Sequence, residues 1–311
     1  MQDKKCYLAF YERRKIETMT SELMVTHTNT GSYGLVAAST TDTALVEMWI
    51  SRKNSQATQK QYRQTWGQFN QAVGVPLQAV DFQTLQSWVA GLTGSENTRK
   101  VRVACVKSLF SFALKVGYLK LNPAVMLDSV KVKDELAARI LTEDEVLSMI
   151  HKTTKQRDAV LIRLLYASAG RISEVCNLTW KDVASNGDSG QVTLFGKGGK
   201  TRTVKLSKAT YKALCALDNG VKDDSPIFVS QKGGRLDETQ VHRIVKAAAV
   251  RAGISGSVSA HWLRHSHASH ALDRGANIAL VRDTLGHSSL SVTSRYTHAK
   301  PNESSALHLA V

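Results

Sequence analysis

The residues with the clearest chemical purpose fall between Ser259 and His298. His261 and Arg264 stand three apart, a spacing that places both on one face of a helix. His287 follows, and Tyr296 comes nine residues after it. Arginine does not ligate metals, whereas its planar fork matches a pair of phosphate oxygens. Two imidazoles, a guanidinium and a phenol therefore suit a phosphate group better than a metal. His261 and His265, four apart, could begin a zinc site, but they lack an intervening Glu and a third ligand at a known spacing. No metal is expected. His265, His267 and His270 are read as packing or DNA-facing residues.

The elements that must position these groups are marked by their punctuation. Gly275 and Gly286 are helix stops, and Asn277 and Ser288 are helix starts, which divides the stretch into three short helices. His287 then lies at a helix entrance, with Tyr296 about two turns further on. Upstream, Asp158 to Ala167 is apolar on nearly all sides and reads as a buried helix ending in Ser168-Ala169-Gly170. Arg171 opens the next helix, where the helix dipole disfavours a cation. Local rules are broken most often at functional positions, and Glu174, three residues on, would aim the guanidinium.

Residues 191–195 and 201–206 read as strands from their β-branched content and alternation. Gly196-Lys197-Gly198-Gly199-Lys200 joins them as a hairpin whose lysines could enter a DNA groove. Its likeness to a phosphate loop is superficial, because the full pattern is missing and a strand follows instead of a helix. Thr142 to Glu145 forms a capping box, with Leu141 and Val146 as its hydrophobic staple. Further helices are expected over about 207–217 and from Asp237 to near Gly253, with a short strand at Ile227 to Val229.

The chain has 311 residues, enough for two domains with separate cores. Its 41 basic and 26 acidic residues give a net charge of +15, which points to a polyanionic partner. The four cysteines are scattered and form no Cys-x-x-Cys pair, which fits a reducing compartment. No run of 18 apolar residues and no signal-peptide core is present, so a cytoplasmic protein without a membrane partner is expected.

Residues 1–41 are rich in Ser and Thr without a sustained period and read as a mobile N-terminal arm. Residues 42–128 read as a helical domain. Tyr62, Trp66 and Phe69 form one apolar stripe, and Leu85, Trp88, Val89 and Leu92 form another. Val103, Val106, Phe110, Ala113 and Leu114 form a third, on a helix that Asn97 would cap. The same helix carries Arg99, Lys100, Arg102 and Lys107 away from its apolar side. This domain has ten basic and five acidic residues, +5 net, so these cations are candidate DNA contacts beside Lys200 and Arg202. Residues 129–139 read as a linker, and 140–311 as a second domain.

Arg171 in Ala-Gly-Arg-Ile-Ser-Glu, Lys197 in its glycine-rich hairpin, His261-x-x-Arg264, Leu285-Gly-His287-Ser and Tyr296 come in that order. This arrangement resembles the tyrosine recombinase family, the phage integrase and Xer-like enzymes of DNA strand exchange. The likeness covers about 140–298 and extends more weakly to 42–128. One departure is Ser-Ala-Gly before Arg171, where members commonly carry Gly-Leu or Gly with another hydrophobic residue. The resemblance implies a mainly α fold with a small β-sheet. It also implies a two-domain C-shaped clamp, with a helical core-binding domain and an α+β catalytic domain.

It further implies site-specific cleavage and rejoining of double-stranded DNA through a 3′-phosphotyrosyl intermediate, with neither metal nor other cofactor. Arg171, Arg264 and His287 would hold the phosphate oxygens, with Glu174 behind Arg171. Tyr296 would be the nucleophile, His261 the general base and Lys197 the general acid. A C-terminal helix after Pro301, with Ala306, Leu307 and Leu309 on its apolar face, would dock on a neighbour. That docking would link a tetramer on two DNA sites in the nucleoid, where a partner recombinase or accessory protein would fit. Two rival readings are a type IB topoisomerase and a catalytically silent DNA-binding regulator. The intact six-residue set argues against the regulator, which has no use for the phenol.

Overall fold

The computed structural model describes residues 35–37, 40–196 and 199–296. Most of the 1–41 arm, Lys197 and the segment that follows Tyr296 lie outside the described residues. The chain is mainly helical with one three-stranded antiparallel sheet. It divides into two compact units, one ending at Lys133 and the other beginning at Asp134.

In the first unit, α1 (Asp42–Ser51), α2 (Gln56–Val73), α3 (Phe82–Ala90) and α4 (Glu96–Lys115) enclose one core. Phe69 sits at its centre, with edge-on contacts to Trp88 at 5.1 Å and Phe110 at 6.1 Å between ring centroids. Asp42 ties distant segments together, its carboxylate accepting from the Leu77 amide at 2.9 Å and the Tyr118 hydroxyl at 2.6 Å. Ser95 caps α4 in place of Asn97, accepting from the Thr98 amide. Leu114, expected in the core, is 41% exposed near the end of that helix. On the same helix Lys100 is exposed. Arg99 is half-buried, Arg102 donates to the Thr93 carbonyl, and Lys107 donates to the Leu127 carbonyl. The row of cations is therefore partly turned inward, because backbone carbonyls nearby need donors.

The second unit is built on α6 (Gln156–Ser168), whose Leu161, Ile162, Leu164 and Leu165 are all fully buried. Around it pack α5 (Glu143–His151), capped by the Thr142–Glu145 box, α7 (Ile172–Cys176), α8 (Lys208–Cys215) and α9 (Glu238–Ala252). The sheet has the order β1 (Val183–Asn186), β2 (Ser189–Phe195), β3 (Thr201–Leu206), with Val192 opposite both Val183 and Val204. Sequence periodicity does not announce β1, because its short run Val-Ala-Ser-Asn carries little alternation. The expected strand at 227–229 does not form: isolated bridges join Pro226 to Thr179 and Val229 to Arg235, and Phe228 is a buried anchor. The last elements are α10 (Ala260–Asp273), α11 (Ile278–Leu285) and α12 (Leu290–Thr293), followed by a 3-10 turn at Ser294–Tyr296. Ser289 caps α12 in place of Ser288.

The second unit takes in Asp134–Arg139 from the expected linker 129–139, and Ile140 follows directly. Leu136 and Ile140 are 8% and 6% exposed and join Ala268, Val281, Leu285 and Tyr296 in a small separate core. Charged neighbours conceal these two apolar residues in the sequence.

β2 also shows where the sheet tolerates no added bulk. A Cβ at Gly190 would meet Cδ2 of Tyr211 at 2.0 Å, so α8 lies directly on the strand there. Gly190→Ala is expected to destabilise the unit by about 1–3 kcal/mol through overpacking, read as a lower midpoint in thermal unfolding.

Candidate active site

Helix α11 ends in three consecutive carbonyls, those of Thr284, Leu285 and Gly286, and each accepts from a different arginine. Arg202 donates Nε to Thr284 at 2.6 Å, Arg264 donates Nη2 to Leu285, and Arg171 donates Nη2 to Gly286 at 3.4 Å. The last carbonyls of a helix lack partners within the helix and carry its negative dipole end, so they attract cations. Gly286 closes the helix in the left-handed conformation (φ 63°), and the His287 amide returns to the Arg282 carbonyl. His287 is thereby placed directly after the arginine cluster.

Arg264 is 4% exposed and reaches back with Nη1 to the Ala169 carbonyl at the end of α6. Ala169 is the one described non-glycine residue with positive φ, at 49°. That conformation costs on the order of 1 kcal/mol for an alanine, and here it accompanies a carbonyl turned to the buried guanidinium. Burial, then Arg171 and Arg202, push the Arg264 guanidinium down to about 10, which leaves it charged at neutral pH.

Glu174 holds the other two arginines. It is 3% exposed. Its carboxylate accepts from the Arg171 amide at 2.8 Å, Arg171 Nη1 at 2.7 Å, Arg202 Nη1 at 3.0 Å and Arg202 Nη2 at 2.6 Å. Burial pushes the carboxyl up, but the hydrogen bonds from Arg202 and Arg171 outweigh it and hold the group at about 2. Arg202 was expected on DNA. The structure instead commits its guanidinium to Glu174 and Thr284, with its side chain 11% exposed.

Arg171 remains 35% exposed and faces a cleft of about 600 Å³ whose wall includes Gly196, Lys200, His287, Ser288 and Val292. Gly196 closes the hairpin by donating its amide to the Lys200 carbonyl at 2.7 Å. A Cβ at Gly196 would stand 3.1 Å from Glu174 Oε1, so this close approach favours glycine. Lys197 lies outside the described residues. His287 Nδ1 pairs with the Thr293 hydroxyl at 2.9 Å, and Thr293 is fully buried. This leaves Nε2 as the ring nitrogen not committed to Thr293. Burial, then Arg264, Arg171 and Arg202, push His287 down to about 4, so the ring is neutral at pH 7. In the tautomer that accepts the Thr293 hydroxyl at Nδ1, Nε2 carries the proton and is a donor.

Tyr296 is 5% exposed, and its ring lies 6.5 Å from that of His287 at an interplanar angle of 11°. Burial raises its phenol above the ordinary value, partly opposed by Arg264 and Arg295. Arg295 anchors the turn through the Asp134 carboxylate at 2.7 Å. The hydroxyl itself meets His265 Nδ1 at 2.8 Å. His261, the expected proton acceptor, is exposed one turn earlier, with its ring 6.2 Å from that of His265. The sequence alone presents His265 as a packing or DNA-facing residue. Its helical spacing from His261 was visible, but nothing local ties position 265 to position 296. His267 and His270 do pack, contacting the Tyr166 carbonyl at 2.8 Å and the Tyr166 hydroxyl at 2.9 Å. No cluster of three His, Cys, Asp or Glu side chains able to hold a metal occurs among the described residues.

Residues 139–303 match the model of the phage integrase family. The chain belongs to this family of tyrosine recombinases, enzymes that cleave and rejoin DNA at specific sites. It is 31% identical over 267 residues to the tyrosine recombinase XerC of Thermodesulfovibrio yellowstonii, covering 80% of this chain and 88% of that protein. Its fold is similar to that of lambda integrase in a dimer bound to a COC′ core site, with a TM-score of 0.70 at 17% identity. That match covers 85% of this chain and 98% of the other. A XerH site-specific recombinase bound to palindromic difH substrate gives a TM-score of 0.69 at 22% identity, covering 81% of this chain and 80% of the other.

The Glu174 arrangement has a measurable consequence. A carboxyl depressed from 4.5 to about 2 contributes stability above the unfolded value and loses it as pH falls through the folded one. Glu174→Gln is expected to lose about 3 kcal/mol at pH 7. Denaturant unfolding should show the gap between wild type and variant closing as the pH approaches 2.

Proposed function

We propose that Tyr296 is the nucleophile of a DNA strand-cleavage reaction in which Arg171, Arg264 and His287 hold the scissile phosphate. The observation that carries this reading is the convergence on the end of α11. Arg171 and Arg264 both donate to carbonyls there, His287 follows immediately, and the Tyr296 ring lies beside His287. Charge that builds on the non-bridging oxygens during attack meets two fixed guanidiniums and a neutral imidazole donor, which favours the transition state. Attack by the phenol oxygen gives a 3′-phosphotyrosyl link and releases a 5′-hydroxyl. The leaving oxygen needs a proton, for which Lys197 is the proposed general acid, and a histidine of α10 takes the proton of the phenol. The covalent link conserves the phosphodiester bond energy, so rejoining needs no nucleotide.

Glu174 and Arg202 serve as positioning residues for Arg171, while Lys200, Lys100 and the outward parts of Arg99, Arg102 and Lys107 are proposed backbone contacts. The partner is double-stranded DNA, which accords with the net charge of +15. We place the protein in the cytoplasm on the nucleoid, assembled as a tetramer on two DNA sites. A partner recombinase or accessory protein is accommodated by that assembly. The expected docking of the segment 302–311 on a neighbouring protomer belongs to the same proposal.

A suicide substrate nicked near the cleavage site tests the chemistry. Wild-type protein is expected to form a covalent adduct, and Tyr296→Phe none, while the variant still shifts DNA in a gel. Arg264→Lys should retain binding but cleave about 10²–10³-fold more slowly. An adduct formed by Tyr296→Phe would remove the assignment. For assembly, deletion of residues 302–311 should preserve binding to a single site and reduce synapsis of two sites.

A further inference from the structure

We propose that His265 is a further catalytic residue, the group whose Nδ1 takes the proton from the Tyr296 hydroxyl during cleavage and returns it on rejoining. The inference rests on Tyr296 being the nucleophile. Its basis is direct contact with the reacting atom: Nδ1 of His265 lies 2.8 Å from the phenol oxygen, and the two rings are 5.7 Å apart. A phenol is protonated at neutral pH, and in the tautomer of His265 with its proton on Nε2 the hydroxyl donates and Nδ1 accepts. The acceptor lone pair is therefore aligned with the proton before DNA arrives. His287 commits its Nδ1 to Thr293. His261 stands one helical turn from His265 on the exposed surface.

The step balances in both directions. In cleavage the bond from the phenol oxygen to phosphorus forms and the bond from phosphorus to the 5′-oxygen breaks. The phenol proton moves to Nδ1, and Lys197 protonates the 5′-oxygen. In rejoining, the 5′-hydroxyl returns its proton to Lys197 as it attacks, and the imidazolium protonates the departing phenolate.

The charges facing His265 explain why the base is quiet without substrate. His261 and Arg264 on its own helix, Arg139 from the segment before α5, and Arg295 and Tyr296 from the closing turn surround it. Burial first, and then these cations, hold the imidazole neutral at about 4. A phosphodiester bound between Arg171 and Arg264 brings negative charge to the same corner. It favours the imidazolium, while Arg264 favours the phenolate. The substrate thus narrows the gap between donor and acceptor at the moment transfer is needed.

The test uses the full chain on the nicked substrate, in single-turnover measurements of adduct formation alongside gel shifts. Asparagine keeps a polar atom near the position of Nδ1 but accepts no proton, so His265→Asn separates proton transfer from simple support. His265→Asn and His265→Ala are expected to bind DNA like wild type and to form adduct at least about 10²-fold more slowly. Added imidazole should restore part of the His265→Ala rate, and His261→Asn should lose less than His265→Asn. A His265→Asn protein that cleaves at the wild-type rate overturns the proposal. So does a His261→Asn protein that loses more, or a loss of DNA binding in both His265 variants that marks the residue as structural. Failure of the Tyr296 assignment is separately visible, as adduct formation by Tyr296→Phe.

Discussion

The arginine corner of the second unit depends on the attraction between the C-terminal end of one short helix and three guanidinium groups. Thr284, Leu285 and Gly286 present successive carbonyls, and Arg202, Arg264 and Arg171 arrive from a strand, a helix and a helix start to meet them. Each arginine is held by an acceptor that costs no additional buried charge. Glu174 supplies the only carboxylate bonded to these guanidiniums among the described residues, shared between Arg171 and Arg202. Arg264 has none and relies on two carbonyls. The cluster therefore keeps a surplus of positive charge.

That surplus governs the neighbouring histidines. His287 and His265 are both held at about 4, through burial first and then through the arginines and the other cations nearby. Neutral imidazoles suit their geometry, since His287 can donate from Nε2 while His265 accepts at Nδ1. Had either ring been charged before substrate bound, it would have added to the repulsion already felt by Arg264. Thr293 and the Asp134–Arg295 pair hold the two ends of the segment 287–296, and the ion pair adds no net charge.

Much of this was legible in the sequence because it is written in local punctuation. The Thr142 capping box, the Asn277 cap and the Gly286 stop depend on contacts within a few residues, and the structure forms each of them. The Arg171–Glu174 pair is three residues apart and was equally readable. What escaped depends on chain-distant contacts. Arg202 looks like any outward strand cation until Glu174 and Thr284, 28 and 82 residues away, claim it. His265 meets a hydroxyl 31 positions downstream, and periodicity carries no information at that range. Leu136 and Ile140 were masked by charged neighbours, since two apolar residues in a short segment make no period. The 227–229 segment has strand-like composition, yet no continuous partner strand is available to it.

The placement of Leu136 and Ile140 has a mechanical meaning. They belong to the same small apolar layer as Tyr296, and Asp134 grips the residue beside that tyrosine. Asp134 is also the first residue after the boundary between the two compact units. The start of the second unit and the seat of Tyr296 thus share one apolar layer. Asp134 and Leu136 therefore fasten the first residues of the second unit to the turn that carries Tyr296.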